Sequence, residues 1–145
     1  MKIVHKHSEQ PKLSPIQNLE EINLHFAANS LQEIVQNLQN SKTEFAQKTL
    51  SKILRFSPLS CSVVFSLMVR GSKMTYANCI KMEYKLALNF HKKSDLWEGI
   101  RVLLIDKGAK STWMHKSIED VAEEEVENMF EHEAQIDLDL GNYQE

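Results

Sequence analysis

The sequence has few of the residues that end helices and form tight turns. Its 145 residues include only four glycines and three prolines. A protein built from many β-strands uses Gly and Pro at its turns, so this composition disfavours a sandwich or a barrel. Good helix-forming residues fill the long stretches in between. The sequence therefore predicts an all-α fold.

Other absences exclude whole classes of functional site. Cys61 and Cys79 are the only cysteines and form no CxxC pair, which predicts two reduced, partly apolar side chains rather than a disulfide. The motifs GxGxxG, GxxxxGK[ST], GxSxG and HExxH are all missing. The six histidines are scattered, and the pair His5 and His7 has no further ligand nearby. We therefore expect no metal site and no self-contained catalytic motif.

Charge and hydropathy also limit the partners. The chain carries 17 basic and 20 acidic side chains, for a net charge of −3, so it lacks the basic surface that nucleic acid requires. No apolar stretch approaches the ~20 residues of a transmembrane helix. The first residues do not form a signal peptide or a visible transit peptide. We expect a soluble, cytoplasmic protein with no membrane or nucleic-acid partner.

The polar and apolar patterns divide the chain into three parts. Residues 1–16 contain Pro11 and Pro15 and predict an extended lead-in. Residues 17–130 predict an irregular bundle of about six helices. Residues 131–145 are acidic and predict a disordered tail. The helical part is thus the one expected to fold.

Capping residues stand at four places where helices are expected to begin. Either Asn29 or Ser30, and further on Ser57 and Thr75, precede an apolar pattern of helical period, and Asp95 with Glu98 resembles a capping box. The helix after Ser57 is apolar on most sides and is expected to be buried, with a glycine, Gly71, as its C-cap.

We expect two helices within residues 76–107 to form a buried hairpin on which the rest of the chain packs. The second helix should bury one apolar face. That face consists of Leu96, Trp97, Ile100, Leu103 and Leu104. Two tryptophans, Trp97 and Trp113, are expected to be core or interface anchors.

No residue is predicted to be catalytic. Glu83 and Glu98 were the strongest acidic candidates, but a solvated helix face explains the first and a helix cap explains the second. A catalytic carboxylate also needs a second group and a pocket. The acidic run at residues 123–127 is interpreted as a solvated helix face.

Several ordered motifs nevertheless resemble one known family. They are INLHFAANSLQEIVQNLQ at residues 22–39, FSPLS at 56–60, KMEYKLA at 81–87 and DLWEGIRVLLIDK at 95–107. Together they are similar to the C-terminal part of the 3-hydroxyisobutyryl-CoA hydrolase family, in the enoyl-CoA hydratase/isomerase (crotonase) superfamily. The last motif is the most specific, and the resemblance runs from about Leu19 to Phe130.

The resemblance implies a CoA thioester hydrolase of valine catabolism, with coenzyme A present only as part of the substrate and no other cofactor. It also implies a location in the mitochondrial matrix if the source is eukaryotic. It also implies that the oxyanion hole and the catalytic carboxylates belong to a spiral β/α core that these residues do not match. Two basic residues of the motif are candidates for CoA binding. Lys107 is the stronger, with a surface lysine as the alternative, whereas Arg101 is expected to be a structural ion-pair partner. The family's Asp-x-x-Pro-Lys-Trp continuation is replaced by GAKSTW at 108–113.

Two hypotheses follow from this resemblance. In the first, the chain is a C-terminal fragment that is inactive alone and needs a separate crotonase-core chain, or self-association, before it acts on an acyl-CoA. In the second, it is a non-catalytic helical interaction module or a relic of a split gene. A fragment made to cover another domain should expose an apolar surface.

Overall fold

The computed structural model describes residues 16–131 and Leu138. The predicted lead-in and tail therefore lie almost entirely outside the described residues, as do His5 and His7. Within the described part all regular structure is helical, which confirms the all-α prediction. Seven α-helices, α1 to α7, follow one another as Leu19–Phe26, Leu31–Asn40, Glu44–Ile53, Pro58–Gly71, Tyr76–Phe90, Ser94–Ile100 and Glu123–Phe130. A π-helical turn at Arg101–Ile105 continues α6, and a 3₁₀ turn at Ile118–Asp120 precedes α7.

Hydroxyl side chains begin four of these helices. Ser30, Ser57 and Thr75 each accept a hydrogen bond from the backbone N–H three residues later, which confirms the three predicted N-caps. Thr43 does the same at the start of α3. Each cap pairs one of the N–H groups that a helix leaves without an internal partner. The local sequence alone therefore explains where these helices begin.

Gly71 has a different role from the predicted C-cap. It is the last residue of α4, and the cap position belongs to Ser72 in an ordinary right-handed helical conformation. A Cβ atom at Gly71 would lie 3.6 Å from the Sγ atom of Cys79 on α5. This distance is an ordinary van der Waals contact, so neither close packing against α5 nor a left-handed turn requires a glycine at this position.

The core consists of two groups of side chains that meet on α4. On one side Leu59 and Val63 pack with Leu86 of α5 and Met129 of α7. On the other side Phe65 packs against α2 and α3, whose buried residues include Leu38, which has no exposed surface. The core of the described residues is therefore centred on α4, and the expectation of a central hairpin at residues 76–107 was wrong.

The expectation that α4 is buried on most sides was also wrong. Val64, Met68 and Val69 are 53%, 68% and 45% exposed. The described helices cover only the sides of α4 that face α2, α3, α5 and α7, and hydrophobicity by itself does not specify which neighbours are present. Part of a strongly apolar helix consequently faces outward.

Polar contacts fix α7 at both of its ends. Asn89 of α5 is buried, and its Nδ2 atom donates to the carbonyl oxygens of Met129 and Glu131 at 3.0 and 2.8 Å. Near the start of α7, Glu125 lies 3.0 Å from Nε2 of His115 and 3.3 Å from Nζ of Lys93. Glu125 thereby joins α7 to the connection between α5 and α6 and to the loop that follows α6. The acidic run, predicted to be a solvated helix face, thus includes one residue, Glu125, that makes a structural contact instead.

Candidate functional site

The most specific motif of the sequence lies on α6 and the π-helical turn, which together form one continuous helix from Ser94 to Ile105. At its end the N–H of Asp106 donates to the carbonyl oxygen of Arg101 at 2.7 Å, five residues back. A π-helical turn is a local irregularity that often occurs at functional positions. Periodicity did not predict it, because its hydrogen-bond pattern leaves no simple signature in the sequence.

Asp95 is not an N-cap, so the predicted capping box is wrong. The cap position belongs to Lys93, which makes no side-chain cap hydrogen bond. Asp95 is instead buried, and its carboxylate accepts from the hydroxyl of Ser57 at 2.5 Å and from the N–H of Met114 at 2.9 Å. Ser57 and Met114 lie 38 and 19 residues from Asp95 in the sequence. The local sequence pattern could not indicate these hydrogen bonds and therefore predicted a helix cap.

Glu98 likewise bonds to a distant segment. Its carboxylate accepts from the Nε and Nη2 atoms of Arg101, both at 2.8 Å, and from the N–H of Thr112 at 2.6 Å. The hydrogen bond from Arg101, followed by that from Thr112, lowers the pKa of Glu98 from its ordinary value of 4.5 to about 2. A carboxylate so firmly ionised is a poor general acid at neutral pH. Its structural role is the contact with Arg101 and the loop, and the predicted role as part of a helix cap is wrong.

Arg101 is the ion-pair partner that the sequence predicted. Besides Glu98, it donates to the carboxylate of Asp106 at 2.7 Å and to the carbonyl oxygen of Lys110 at 3.4 Å. The hydrogen bonds to Glu98 and then Asp106 raise the pKa of its guanidinium. Arg101 therefore links α6 to the following loop, and its proposed contact with CoA stays a prediction.

The loop at residues 106–116 is held along α6 by three successive residues. The N–H groups of Thr112 and Met114 bond to Glu98 and Asp95, respectively. Between them, Trp113 donates its indole N–H to the carbonyl oxygen of Arg55 at 3.1 Å, and its ring lies 3.7 Å from the position of a Cβ atom at Gly99. The acidic pair of the DLWEG motif is thus a loop anchor.

Lys107 and Gly108 lie at the free end of this loop. Both are exposed, and Gly108 has a φ of 85°, a conformation that favours glycine. The N–H of Ala109 closes a turn by donating to the carbonyl oxygen of Asp106 at 2.9 Å. The structure therefore places the ammonium of Lys107 on an accessible turn, where a phosphate can approach it. Its role in CoA binding stays a prediction.

The apolar residues that follow Arg101 are exposed, contrary to the expectation of a buried face. Leu103, Leu104 and Ile105 are 71%, 63% and 71% exposed, and Trp97 is 51% exposed. Periodicity showed that this helix is apolar, but it did not show what would cover it. None of the helices in the described part of the chain does so.

Metal-ligating side chains, thiols and apolar helices are also present among the described residues. No group of three or more His, Cys, Asp or Glu side chains is placed to hold a metal ion within residues 16–131 and Leu138. The thiols of Cys61 and Cys79 are free, and burial raises the pKa of Cys61. In the same part of the chain no single helix has the length and apolarity to cross a membrane. Only α3 and α4 taken together have the required length and apolarity, and the two helices are bent by 113° at their junction.

Comparison with known proteins assigns the family. A sequence model described as "Enoyl-CoA hydratase/isomerase" matches residues 1–130. The chain belongs to the enoyl-CoA hydratase/isomerase family. This assignment covers most of the sequence and confirms the resemblance drawn from the four motifs.

Curated relatives narrow the similarity further. The chain is 36% identical over 124 residues to the mitochondrial 3-hydroxyisobutyryl-CoA hydrolase of Gallus gallus and 33% identical over 122 residues to that of Homo sapiens. These matches cover 86% and 84% of the chain but only 32% of each relative. The chain thus spans about a third of the length of the relatives it matches.

Solved structures show the same partial correspondence. A carnitinyl-CoA dehydratase from Mycobacterium thermoresistibile superposes with a TM-score of 0.81 at 22% identity, over 98% of this chain and 41% of that one. An enoyl-CoA hydratase from Rhodobacter sphaeroides gives 0.76 at 27% identity, over 88% and 39%. The helical architecture is therefore part of a larger fold in both.

Proposed function

We propose that this chain supplies the C-terminal helical region of an acyl-CoA thioester hydrolase of the 3-hydroxyisobutyryl-CoA hydrolase type, active in valine catabolism. On this proposal the chain alone does not hydrolyse thioesters. Its partner is the catalytic core of the same enzyme, in the same or a separate polypeptide. The names of the curated relatives and the four shared motifs support the substrate class.

One observation carries the proposal: the described residues bury few apolar side chains and expose many. Ten hydrophobic residues are buried, whereas sixteen large hydrophobic residues are exposed. Single exposed apolar residues are ordinary on protein surfaces, but sets of neighbouring ones mark a surface made for contact. The helices therefore resemble a layer of a larger protein more than a domain with its own complete core.

The chemistry of the described side chains agrees with a supporting role. Thioester hydrolysis requires stabilisation of an oxyanion and a placed acid or base. Glu98 and Asp95 are the most strongly bonded carboxylates near the motif, and both are occupied by the loop. Lys107 remains accessible at the loop end. We assign it the contact with a CoA phosphate, because an exposed ammonium on a turn can pair with such an anion.

A chimeric enzyme tests the proposal. The matched third of the Gallus gallus hydrolase is replaced by residues 1–130 of this chain, and release of CoA from 3-hydroxyisobutyryl-CoA is followed with a thiol reagent. We expect hydrolysis within about tenfold of the parent enzyme, since the helical layer does not carry the reacting groups. The matched control is the same hydrolase with that third deleted, which should be inactive.

A folded chimera without activity would contradict the proposal. The same exposed apolar residues are compatible with the second hypothesis, a helical module that binds another protein. That hypothesis predicts that the chimera is as inactive as the hydrolase with the matched third deleted, so the chimera distinguishes the two functions.

A further inference from the structure

Arg101 contacts both ends of the turn that carries Lys107. Its guanidinium donates to the carboxylate of Asp106 at 2.7 Å, where the turn begins, and to the carbonyl oxygen of Lys110 at 3.4 Å, where the turn ends. The carbonyl oxygen of Arg101 also accepts from the N–H of Asp106 at 2.7 Å. Three contacts from one residue therefore hold the turn at residues 106–110 on the end of the helix.

The guanidinium that makes these contacts is itself fixed from the helix side. The carboxylate of Glu98 accepts from its Nε and Nη2 atoms, both at 2.8 Å. The N–H of Thr112 also donates to Glu98 at 2.6 Å, so this carboxylate cannot rotate away without losing a backbone partner. Two parallel hydrogen bonds to one carboxylate give a guanidinium a defined orientation. Arg101 is thus a rigid clamp on the turn.

The turn depends on this clamp because its middle has little support of its own. A backbone hydrogen bond from the N–H of Ala109 to the carbonyl oxygen of Asp106, at 2.9 Å, closes it. At its centre Gly108 has a φ of 85°, and a Cβ atom there would have no neighbour within 4 Å. Glycine loses more conformational freedom on ordering than any other residue. Without Arg101 the backbone at Lys107 would therefore sample many positions.

The same contacts make Arg101 a poor direct ligand for a phosphate. Its four hydrogen bonds use most of the five N–H groups that a guanidinium offers. The two carboxylates of Glu98 and Asp106 also outweigh its single positive charge, so this cluster of three side chains is net negative. The exposed ammonium of Lys107 lies on the turn beyond the cluster. The geometry separates a residue that holds the turn from a residue that is free to bind an anion.

We propose that Arg101 is a positioning residue: it clamps the turn at residues 106–110 so that Lys107 meets a phosphate of the CoA moiety, and it does not contact that phosphate itself. The inference rests on the proposed function and adds the device that orients its CoA contact. Preorganisation is the physical reason, since a lysine on a fixed backbone loses less freedom on binding than a lysine on a mobile turn.

Kinetics of the chimera with two substrates test this role. With 3-hydroxyisobutyryl-CoA, Arg101→Ala should raise KM about fivefold and leave kcat unchanged, because only binding is weakened. With the 3-hydroxyisobutyryl thioester of pantetheine, which has no phosphate, Arg101→Ala should change neither constant. Lys48→Ala is the control and should have no effect with either substrate. A lower kcat, or equal effects on both substrates, would show general damage to the fold and contradict the inference.

A double-mutant cycle distinguishes positioning from direct contact. If Arg101 acts through Lys107, Arg101→Ala should raise KM no further in a chimera that already carries Lys107→Ala. Arg101→Lys keeps the charge but loses the paired geometry, so it should resemble Arg101→Ala. Independent, multiplying effects of Arg101→Ala and Lys107→Ala would show that Arg101 binds the phosphate itself. That result, or an unchanged KM for Arg101→Ala alone, would overturn the inference.

Limited proteolysis measures the clamp in this chain without any activity. Trypsin cleaves after lysine most readily in mobile segments, so cleavage after Lys107 should be at least about threefold faster in Arg101→Ala, with Lys48→Ala as the control. An unchanged rate would reject the clamp. A folded but inactive chimera together with faster cleavage would reject the proposed function, and with it the role of the turn in CoA binding, but not the clamp.

If the chimera does not fold, the same kinetics are measured on this chain co-expressed with the Gallus gallus hydrolase that lacks the matched third. Failure to form that complex as well would reject the proposed function and the CoA role of Arg101.

Discussion

Replacement of Asp95 by alanine is the sharpest test of how this protein holds its most specific motif. The carboxylate is buried and accepts two hydrogen bonds, from the Ser57 hydroxyl at 2.5 Å and from the Met114 N–H at 2.9 Å. Asp95→Ala removes both acceptors at once. The hydroxyl of Ser57 then loses its acceptor in a buried position. The N–H of Met114 also loses its acceptor, but Met114 is 58% exposed.

The expected loss of stability follows from these two surroundings. A hydrogen bond to a charged group contributes about 1.5–3 kcal/mol, and the larger value applies to the buried hydrogen bond from Ser57. Water can replace the hydrogen bond that the N–H of Met114 makes, so the loss of this bond should cost only about 1 kcal/mol. We expect Asp95→Ala to lower the free energy of unfolding by about 3–4 kcal/mol in total, a large share of the stability of a small domain.

Urea denaturation followed by far-ultraviolet circular dichroism measures this change. Lys48→Ala is the matched control, because its ion pair with Glu44 is 71% and 80% exposed and should contribute less than about 0.5 kcal/mol. In a double-mutant cycle, Asp95→Ala and Ser57→Ala should be coupled by about 1–2 kcal/mol. A loss below about 1 kcal/mol for Asp95→Ala, or additive effects in the cycle, would refute the role of Asp95 as a buried anchor.

Three further predictions concern other parts of the molecule. Leu38→Ala should lower the free energy of unfolding by about 3 kcal/mol in the same assay, because Leu38 has no exposed surface and truncation leaves a cavity; an effect under 1 kcal/mol would contradict the assigned core. Because the folded pKa of Glu98 is lowered to about 2 from 4.5, its contribution to stability is fully present above pH 4.5 and is lost as the pH falls through about 2. Glu98→Gln should therefore reduce the change of the urea denaturation midpoint with pH between about 2 and 4.5. An unchanged pH dependence would argue against the role of Glu98 as a loop anchor. In the active chimera, Lys107→Ala should raise KM for 3-hydroxyisobutyryl-CoA about tenfold with kcat unchanged, the loss of one charge-assisted contact, and Lys48→Ala should change neither; an unchanged KM would leave Lys107 as a surface lysine.

Local chemistry allowed much of the fold to be predicted from the sequence. Ser30, Ser57 and Thr75 cap helices as expected, because a cap hydrogen bond joins residues only three apart. The apolar stripe from Leu31 to Leu38 is buried as its spacing predicted. These features depend on residues that are close in the sequence, so they can be predicted from the sequence alone.

The failures share a different physical origin. Asp95 and Glu98 bond to residues that are 14 to 38 positions away, so nothing in the local pattern distinguishes a loop anchor from a helix cap. Leu103 and Leu104 were assigned to a buried face because periodicity shows which side is apolar but not which surface covers it. The sequence predicted a cap at Ser57 and an anchor at Trp113, but it did not indicate their distant partners, Asp95 and Arg55.

On the proposed function, these helices contribute to thioester hydrolysis only together with the rest of the fold. The most direct test measures CoA release from 3-hydroxyisobutyryl-CoA by the isolated chain, by the truncated Gallus gallus hydrolase, and by the two co-expressed and purified as a complex. We predict no turnover above the spontaneous rate for either chain alone and enzymatic turnover for the complex. Turnover by the isolated chain, or a stable complex that remains inactive, would contradict the account.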